Sequence, residues 1–400
     1  MRSSDQLERE YTLVIPTHSR PKDLNRLLRY LDWKGAKFRI LVLDSSAPDT
    51  QEVNRALANS FDLNLTFHAF DSALHPYRKF HLGLEMVKTP YCSLCADDDL
   101  VMIDGLDICV EFLSANADFS IAHGVYFNFA DRGDVIDLIS MAQEGASIVA
   151  DAPLERLRKF IPNYDVLVYA VARREVIAAA FGKGLNLGSF LLAELLSGAL
   201  ITIAGKIARL PVFYCSRSTA PSQFYADWHP HQFLAGSARL LFEKYLAYRD
   251  ILMVELEKAG NTLNAAGTRE ILDLVHLQYL GPFLRGDILE FISERKMAGM
   301  APRDIVAGIW DRWVDSKRTA HPVKAYHVAS GEWDIKHLSR APQPHDAAPE
   351  QIYDYLLESQ TRDGAPRVYK IFDEFLFPAP SKRVANSDLR QIVRNFDSYY

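Results

Sequence analysis

At 400 residues the chain is long enough for a large α/β domain and a smaller partner, and its 48% apolar content can supply a sizeable core. Its 45 Lys and Arg against 51 Asp and Glu leave a formal charge of −6, which excludes broad electrostatic attraction to nucleic acid. Any phosphate recognition must therefore be local. The four cysteines, Cys92, Cys95, Cys109 and Cys215, are too sparse for a disulfide framework and point to a reducing cytoplasm.

Met1 to Tyr11 is charged and polar, with no apolar stretch of the secretory type. Tyr11 to Pro16 and Arg39 to Asp44 are β-rich runs bounded by polar or turn residues, as expected of central parallel strands. Between them Leu24, Leu27, Leu28 and Leu31 recur at helical spacing, with Ser19 as the cap and Pro21 in the first turn. A helix over Gln51 to Phe61, a strand over Leu63 to Ala69 and a helix over Lys79 to Val87 continue the alternation into the apolar run Tyr91 to Ala96.

After that run the rhythm changes. A helix is expected at Asp104 to Ala115, strands near Phe119 to Phe129 and Leu167 to Ala172, an apolar helix over Leu185 to Gly205, and a strand at Leu210 to Cys215. The apolar helix carries Glu194 near its centre and has no positive cluster on its amino side, so it reads as buried and no transmembrane segment is expected. From about residue 236 the pattern is mainly helical: Ala238 to Leu256, Arg269 to Leu280, Asp287 to Ala298, Arg303 to Val314 and Pro349 to Ser359, with a loose connector from Thr319 to Ala348. The division is thus 1–235 for an α/β domain and 236–400 for a helical region serving packing, homo-oligomerisation or acceptor binding.

Asp97, Asp98 and Asp99 follow the apolar run directly. On a continuing strand Asp97 and Asp99 would share a face while Asp98 points away, a hard-oxygen pair suited to Mg²⁺ or Mn²⁺ with open positions for substrate phosphates. A solvated acidic turn is the competing reading. Cys92 and Cys95 have the spacing of a redox or zinc half-site, but positions three apart on a strand face opposite sides and no second pair accompanies them, so both are expected in the core.

Val14-Ile-Pro-Thr-His-Ser-Arg-Pro21, Val42-Leu-Asp-Ser-Ser46 and Thr89-Pro-Tyr-Cys-Ser-Leu-Cys-Ala-Asp-Asp-Asp-Leu100 stand in the order used by family 2 nucleotide-sugar glycosyltransferases. Lys79-Phe-His-Leu-Gly-Leu84 precedes the acidic motif, as in bacterial members. Over about residues 11 to 225 the chain resembles a GT-A glycosyltransferase. The resemblance implies an α/β, Rossmann-like sheet, mixed but mostly parallel and flanked by helices. It also implies transfer from a nucleoside-diphosphate sugar, a UDP-sugar first, to a surface-glycan or protein acceptor. Inversion at the sugar, a bacterial cytoplasm and a peripheral place at the inner membrane come from the same source.

Carried over by residue, the resemblance puts Pro16 and Thr17 at the nucleoside and Asp44 at the base or ribose. Arg20, Lys79, Asp98 and Arg217 are placed around the nucleotide sugar, and Asp97 and Asp99 on Mn²⁺ or Mg²⁺. His229 or His231, from the polar loop after Arg217, would complete the metal shell. Glu194 is the candidate general base, because a carboxylate in an apolar helix is costly unless it faces a cleft, where burial raises its pKa usefully. The Gln-x-x-Arg-Trp stretch of processive synthases is absent, which favours single-sugar transfer. A nucleotidyltransferase or phosphohydrolase could use the same carboxylates, although Thr-His-Ser-Arg-Pro stands where a Gly-rich phosphate loop would be needed. A non-catalytic nucleotide-sugar binding module is the third reading.

Overall fold

The computed structural model describes residues 4–131, 135–142, 147–219, 229–320 and 325–327. A short helix α1 (Ser4–Glu10) leads into β1 (Tyr11–Thr17), followed by α2 (Pro21–Trp33), β2 (Arg39–Asp44), α3 (Pro48–Ala58), β3 (Leu65–Ala69), α4 (Pro76–Met86) and β4 (Tyr91–Leu94). β1 lies between β2 and β4, parallel to both, and β3 runs parallel outside β2. The expected leucines form the buried face of α2, which starts on Pro21, where a fixed φ and a missing N–H suit the first turn. Arg20 occupies the cap position instead of Ser19, whose φ of 57° is left-handed and outside the helix.

Past β4 the chain turns through the three aspartates into β5 (Leu100–Val101) and α5 (Ile103–Ala115), then β6 (Phe119–Asp131) and β7 (Val135–Ala142). Next come α6 (Pro153–Phe160), β8 (Val171–Arg173), α7 (Arg174–Lys183), α8 (Phe190–Ala204) and β9 (Lys206–Ser218). β8 is antiparallel to both β4 and β6, while β9 is parallel to β6 and antiparallel to β5, so the sheet is mixed around a parallel centre. β7, α6 and α7 have no counterpart in the sequence reading. The strand expected over Leu167 to Ala172 is split, because Leu167–Tyr169 winds into a 3₁₀ turn before β8 begins.

Each central strand feeds two cores, as side-chain alternation requires. Leu13, Ile15, Ile40 and Val42 pack with α2 and α5, whereas Val14, Leu41 and Leu43 pack with α4, α7 and α8. Cys92 and Cys95 fall in opposite cores, both buried and unpaired. The apolar helix α8 starts at Phe190, later than expected, with the Ser189 hydroxyl accepting the Leu192 N–H. Its far end is closed by buried Arg156 of α6, which donates to the carbonyls of Thr202 and Ile203 at 2.7 and 2.6 Å.

Two later helices, Ala238–Lys258 and Ala265–Leu280, place Tyr248, Leu252, Leu256, Leu272 and Val275 in the same core as α8. Apolar packing therefore runs on without a break past residue 235. The helices Gly286–Met297 and Pro302–Ala320 build a smaller cluster with Ala235 around Phe291, Ile292, Ile305 and Val306. Within the expected connector, β10 (Ala325–His327) pairs antiparallel with β7. The helix expected over 349–359 and residues 220–228 of the polar loop after Arg217 lie outside the described residues. Among the described residues no helix is long and apolar enough to cross a membrane.

Where β6 and β9 shift register near His123 and Val125, Gly124 lets the strands approach. A Cβ there would stand 1.8 Å from the Val212 carbonyl oxygen, a backbone atom that cannot swing aside. Gly124→Ala is therefore expected to destabilise the protein by roughly 1–3 kcal/mol, the usual range for overpacking. Urea unfolding measures this directly, and an unchanged midpoint would refute the close-approach account.

Candidate active site

The pleat of β4 ends at Leu94, and Asp97 and Asp98 occupy a turn in which the Asp99 N–H donates to the Ala96 carbonyl at 3.1 Å. The shared strand face expected for Asp97 and Asp99 is corrected accordingly, since turn geometry and not alternation sets their directions. Asp97 points to the end of β1, where the Thr17 hydroxyl donates to Oδ2 at 2.7 Å and Arg20 to Oδ1 at 3.3 Å. Asp98 accepts from Arg20 at 2.8 Å, and its carbonyl accepts from Arg26 at 2.8 Å. Asp99 points to the end of β9: the Ser218 N–H donates to Oδ1 at 2.7 Å, and Arg217 Nε stands 4.0 Å from Oδ2. Asp97 and Asp99 are each only 3% exposed, so a solvated turn does not describe them.

Burial, with the neighbouring Asp98 charge added, pushes the Asp97 carboxyl up to about 7 against the pull of Thr17 and Arg20. The same two causes raise Asp99, against Arg217 and the Ser218 N–H. Crowded, desolvated carboxylates of this kind have a shortage of positive charge. A small hard cation answers that shortage with one or two carboxylates when substrate phosphates provide the remaining oxygens, so the donor set fits Mg²⁺ or Mn²⁺. Among the described residues no group of three His, Cys, Asp or Glu stands close enough to hold a metal. His229 and His231 are consequently not brought to the aspartates.

Arg217 lies over the Tyr169 ring at 4.5 Å and the Tyr126 ring at 5.4 Å, a double aromatic seat that fixes its guanidinium beside Asp99. Glu194, on α8, is half-buried and accepts the Tyr164 hydroxyl at 3.0 Å on Oε1. Burial raises its pKa, with Tyr164 and the Arg217 charge opposing. The Arg217 charge thus acts on both Asp99 and Glu194.

Asp44 and Lys79, both expected at the nucleotide, are held by hydrogen bonds within the protein. Asp44 is fully buried, with Oδ1 accepting the Ser46 N–H at 2.7 Å and Oδ2 accepting Asn54 at 2.8 Å, so both oxygens organise the β2–α3 loop. Lys79, 3% exposed, donates to the Thr17 carbonyl and to the Ser45 hydroxyl, each at 2.8 Å. It ties the ends of β1 and β2 together beneath the rim. Burial lowers its pKa to about 8, with Asp97 and Asp44 acting against that fall. Pro16 and Thr17 close β1, and Thr17 is tied to Asp97 by its hydroxyl.

His229 and His231 line the same cavity as Arg217, beside Phe283. The His231 N–H donates to His229 Nδ1 at 3.2 Å, and His231 Nε2 meets the Phe283 carbonyl at 3.0 Å. Burial and the neighbouring His231 push His229 down to about 3, so its ring is neutral at physiological pH. The residues missed from sequence are Tyr126, Tyr164, Tyr169, Arg26 and Ser218. None of these carries a motif, and Ser218 acts through its backbone; only the adjacency of Ser218 to Arg217 hinted at any of them.

The profile of glycosyl transferase family 2 matches residues 12–181. A search of curated proteins finds no match. Among solved structures, S. aureus TarS 1-349 in complex with UDP-GlcNAc is similar at 12% identity and a TM-score of 0.45, over 82% of this chain and 100% of that one. S. aureus TarS 1-349 in complex with UDP aligns at 14% identity and a TM-score of 0.41, over 68% and 70% of the two chains. A further S. aureus TarS structure aligns at 14% identity and a TM-score of 0.44, over 68% of this chain, and this chain spans 43% of that one. With the profile match lying over the βα alternation that carries Thr17 and the Asp97 to Asp99 turn, residues 12–181 are a glycosyl transferase family 2 domain.

Proposed function

We propose that this chain moves one sugar, with inversion, from a nucleoside-diphosphate sugar to a hydroxyl of a glycan or protein acceptor, using Mn²⁺ or Mg²⁺. The observation that carries the reading is the pair of buried carboxylates, Asp97 and Asp99, held from opposite sides by Thr17 and Ser218 at the rim of a family 2 domain. Asp97 and Asp99 would hold the ion, which when bound supplies positive charge to the departing diphosphate. Arg20 and Arg217, each reaching one of these aspartates, add fixed positive charge in the same place. Glu194 takes the acceptor proton as the acceptor oxygen bonds to the anomeric carbon and the bond to the diphosphate breaks. The raised pKa of Glu194 makes it a stronger base than an exposed carboxylate, and the Tyr164 hydroxyl keeps one of its oxygens in place.

The first test is thermal unfolding with UDP and Mn²⁺, separately and together. Ligand at a hundredfold excess over its Kd contributes about 2.7 kcal/mol, which for a chain of this size raises Tm by roughly 3 °C or more. The expected result is a rise only when both are present. A rise with UDP alone would remove the metal from the reading, and no rise with UDP, GDP, ADP or CDP would remove the donor.

A further inference from the structure

A cavity of 720 Å³ opens between the ends of β6 and β9 and the helices beyond residue 281, lined among others by Tyr126, Arg217, His231, Phe283, Trp310 and Arg312. Its wall includes Arg217 and Ser218, the two residues that reach Asp99 from β9. Whatever fills it lies one side chain away from the proposed sugar-transfer centre. We infer that this cavity is the acceptor subsite and that it takes an acidic saccharide, an assignment that rests on the transfer reading above.

Three observations support this. First, two buried polar atoms of its lining, Arg217 Nε and His231 Nδ1, have no hydrogen-bond partner among the described residues. Carbonyl oxygens only accept, so His231 Nε2 carries the hydrogen donated to Phe283, and burial keeps the ring neutral. His231 Nδ1 is then a bare lone pair, and Arg217 Nε is a donor. Sugar hydroxyls both donate and accept, and so suit a donor and an acceptor of this kind, each of which carries a desolvation penalty while unmet.

Second, the walls are aromatic. Phe283 and Trp310 give apolar surface against which the C–H face of a sugar ring can lie, while the Tyr126 and Phe291 rings carry Arg217 and Arg312. Third, the charge is one-sided. Arg217, Arg285 and Arg312 line the cavity against Asp287, and because Arg285 already donates to both oxygens of Asp287 at 3.1 Å, the excess positive charge rests on Arg217 and on Arg312, whose guanidinium is seated on the Phe291 ring at 4.0 Å.

Saturation-transfer NMR on the full chain tests the assignment with methyl β-glucuronide and glucose 6-phosphate as acidic probes and methyl β-glucoside as the neutral one. Signals from the acidic probes are expected to be strong, with Kd rising tenfold or more in Trp310→Ala and in His231→Gln. Glutamine keeps a donor for the Phe283 carbonyl while deleting the Nδ1 lone pair, so His231→Gln serves even if Trp310→Ala loses its fold. Arg312→Gln is expected to erase the preference for acidic over neutral probes. Equal binding of neutral and acidic probes by the wild type, or wild-type binding by both Trp310→Ala and His231→Gln, would overturn the assignment. The donor reading fails separately, through an absent UDP and Mn²⁺ melting shift in the wild type. The subsite fails with that shift intact.

Discussion

Asp99→Asn is expected to give a folded protein whose affinity for UDP no longer responds to Mn²⁺ and whose turnover falls by about a hundredfold or more. Asparagine retains an oxygen to accept the Ser218 N–H, so the link between the acidic turn and β9 survives; what disappears is the charge. The wild type's stability should also carry the mark of that charge. Burial and Asp98 raise the folded-state pKa of both Asp97 and Asp99 above the unfolded value near 3.9. Their contribution to stability is therefore full below about pH 4 and is lost as pH rises through about 7 and beyond. Asp99→Asn escapes its share of that loss, so without metal the variant should gain on the wild type as pH rises, and Mn²⁺ should narrow the gap by stabilising the wild type. Melting curves between about pH 4 and 9, with and without Mn²⁺, together with UDP titration calorimetry, read both effects. A variant that still binds UDP more tightly with Mn²⁺ would take Asp99 out of the ligand set.

Glu194→Gln is expected to retain UDP and Mn²⁺ binding while turnover falls by roughly a hundredfold or more, the usual size of general-base removal. Gln keeps an acceptor for the Tyr164 hydroxyl and nearly the same volume in α8, so the change is confined to the proton. The pH profile gives an independent reading. Because burial raises the Glu194 pKa, the rate should climb with pH along a limb lying above the ordinary carboxylate range, and that limb should vanish in the variant. An unchanged limb, or wild-type turnover, would assign the base elsewhere and leave Glu194 as a packing residue under Tyr164.

Much of the first half of the chain was legible as local pattern. β1, β2 and the leucine face of α2 are periodic signals that tertiary contacts reinforce, and the cysteines at 92 and 95 separate into opposite cores because strand alternation is a property of the backbone itself. The second half was harder to read. β7 and α7 have weak periodicity of their own, and the segment Leu167 to Ala172 looked like one strand because its apolar run does not reveal where the backbone winds into a 3₁₀ turn. For the site, residue type was a better guide than residue role. Asp44 and Lys79 were picked out by type, whereas their internal bonds, one to a loop and the other to the joint between two strands, are visible only in the fold.

The order of strand, turn and acid along residues 11 to 100, and hence the presence of carboxylates at a sheet rim, is written in the sequence alone, because short-range periodicity and turn chemistry set it. The company those carboxylates keep was decided in three dimensions. Ser218 reaches Asp99 across 119 positions, and Arg217 comes with it, because β9 lies antiparallel to β5 and parallel to β6. Asp97 is enclosed likewise by Thr17 and Arg20 from the end of β1, 80 and 77 positions away, contacts that no stretch of local sequence encodes.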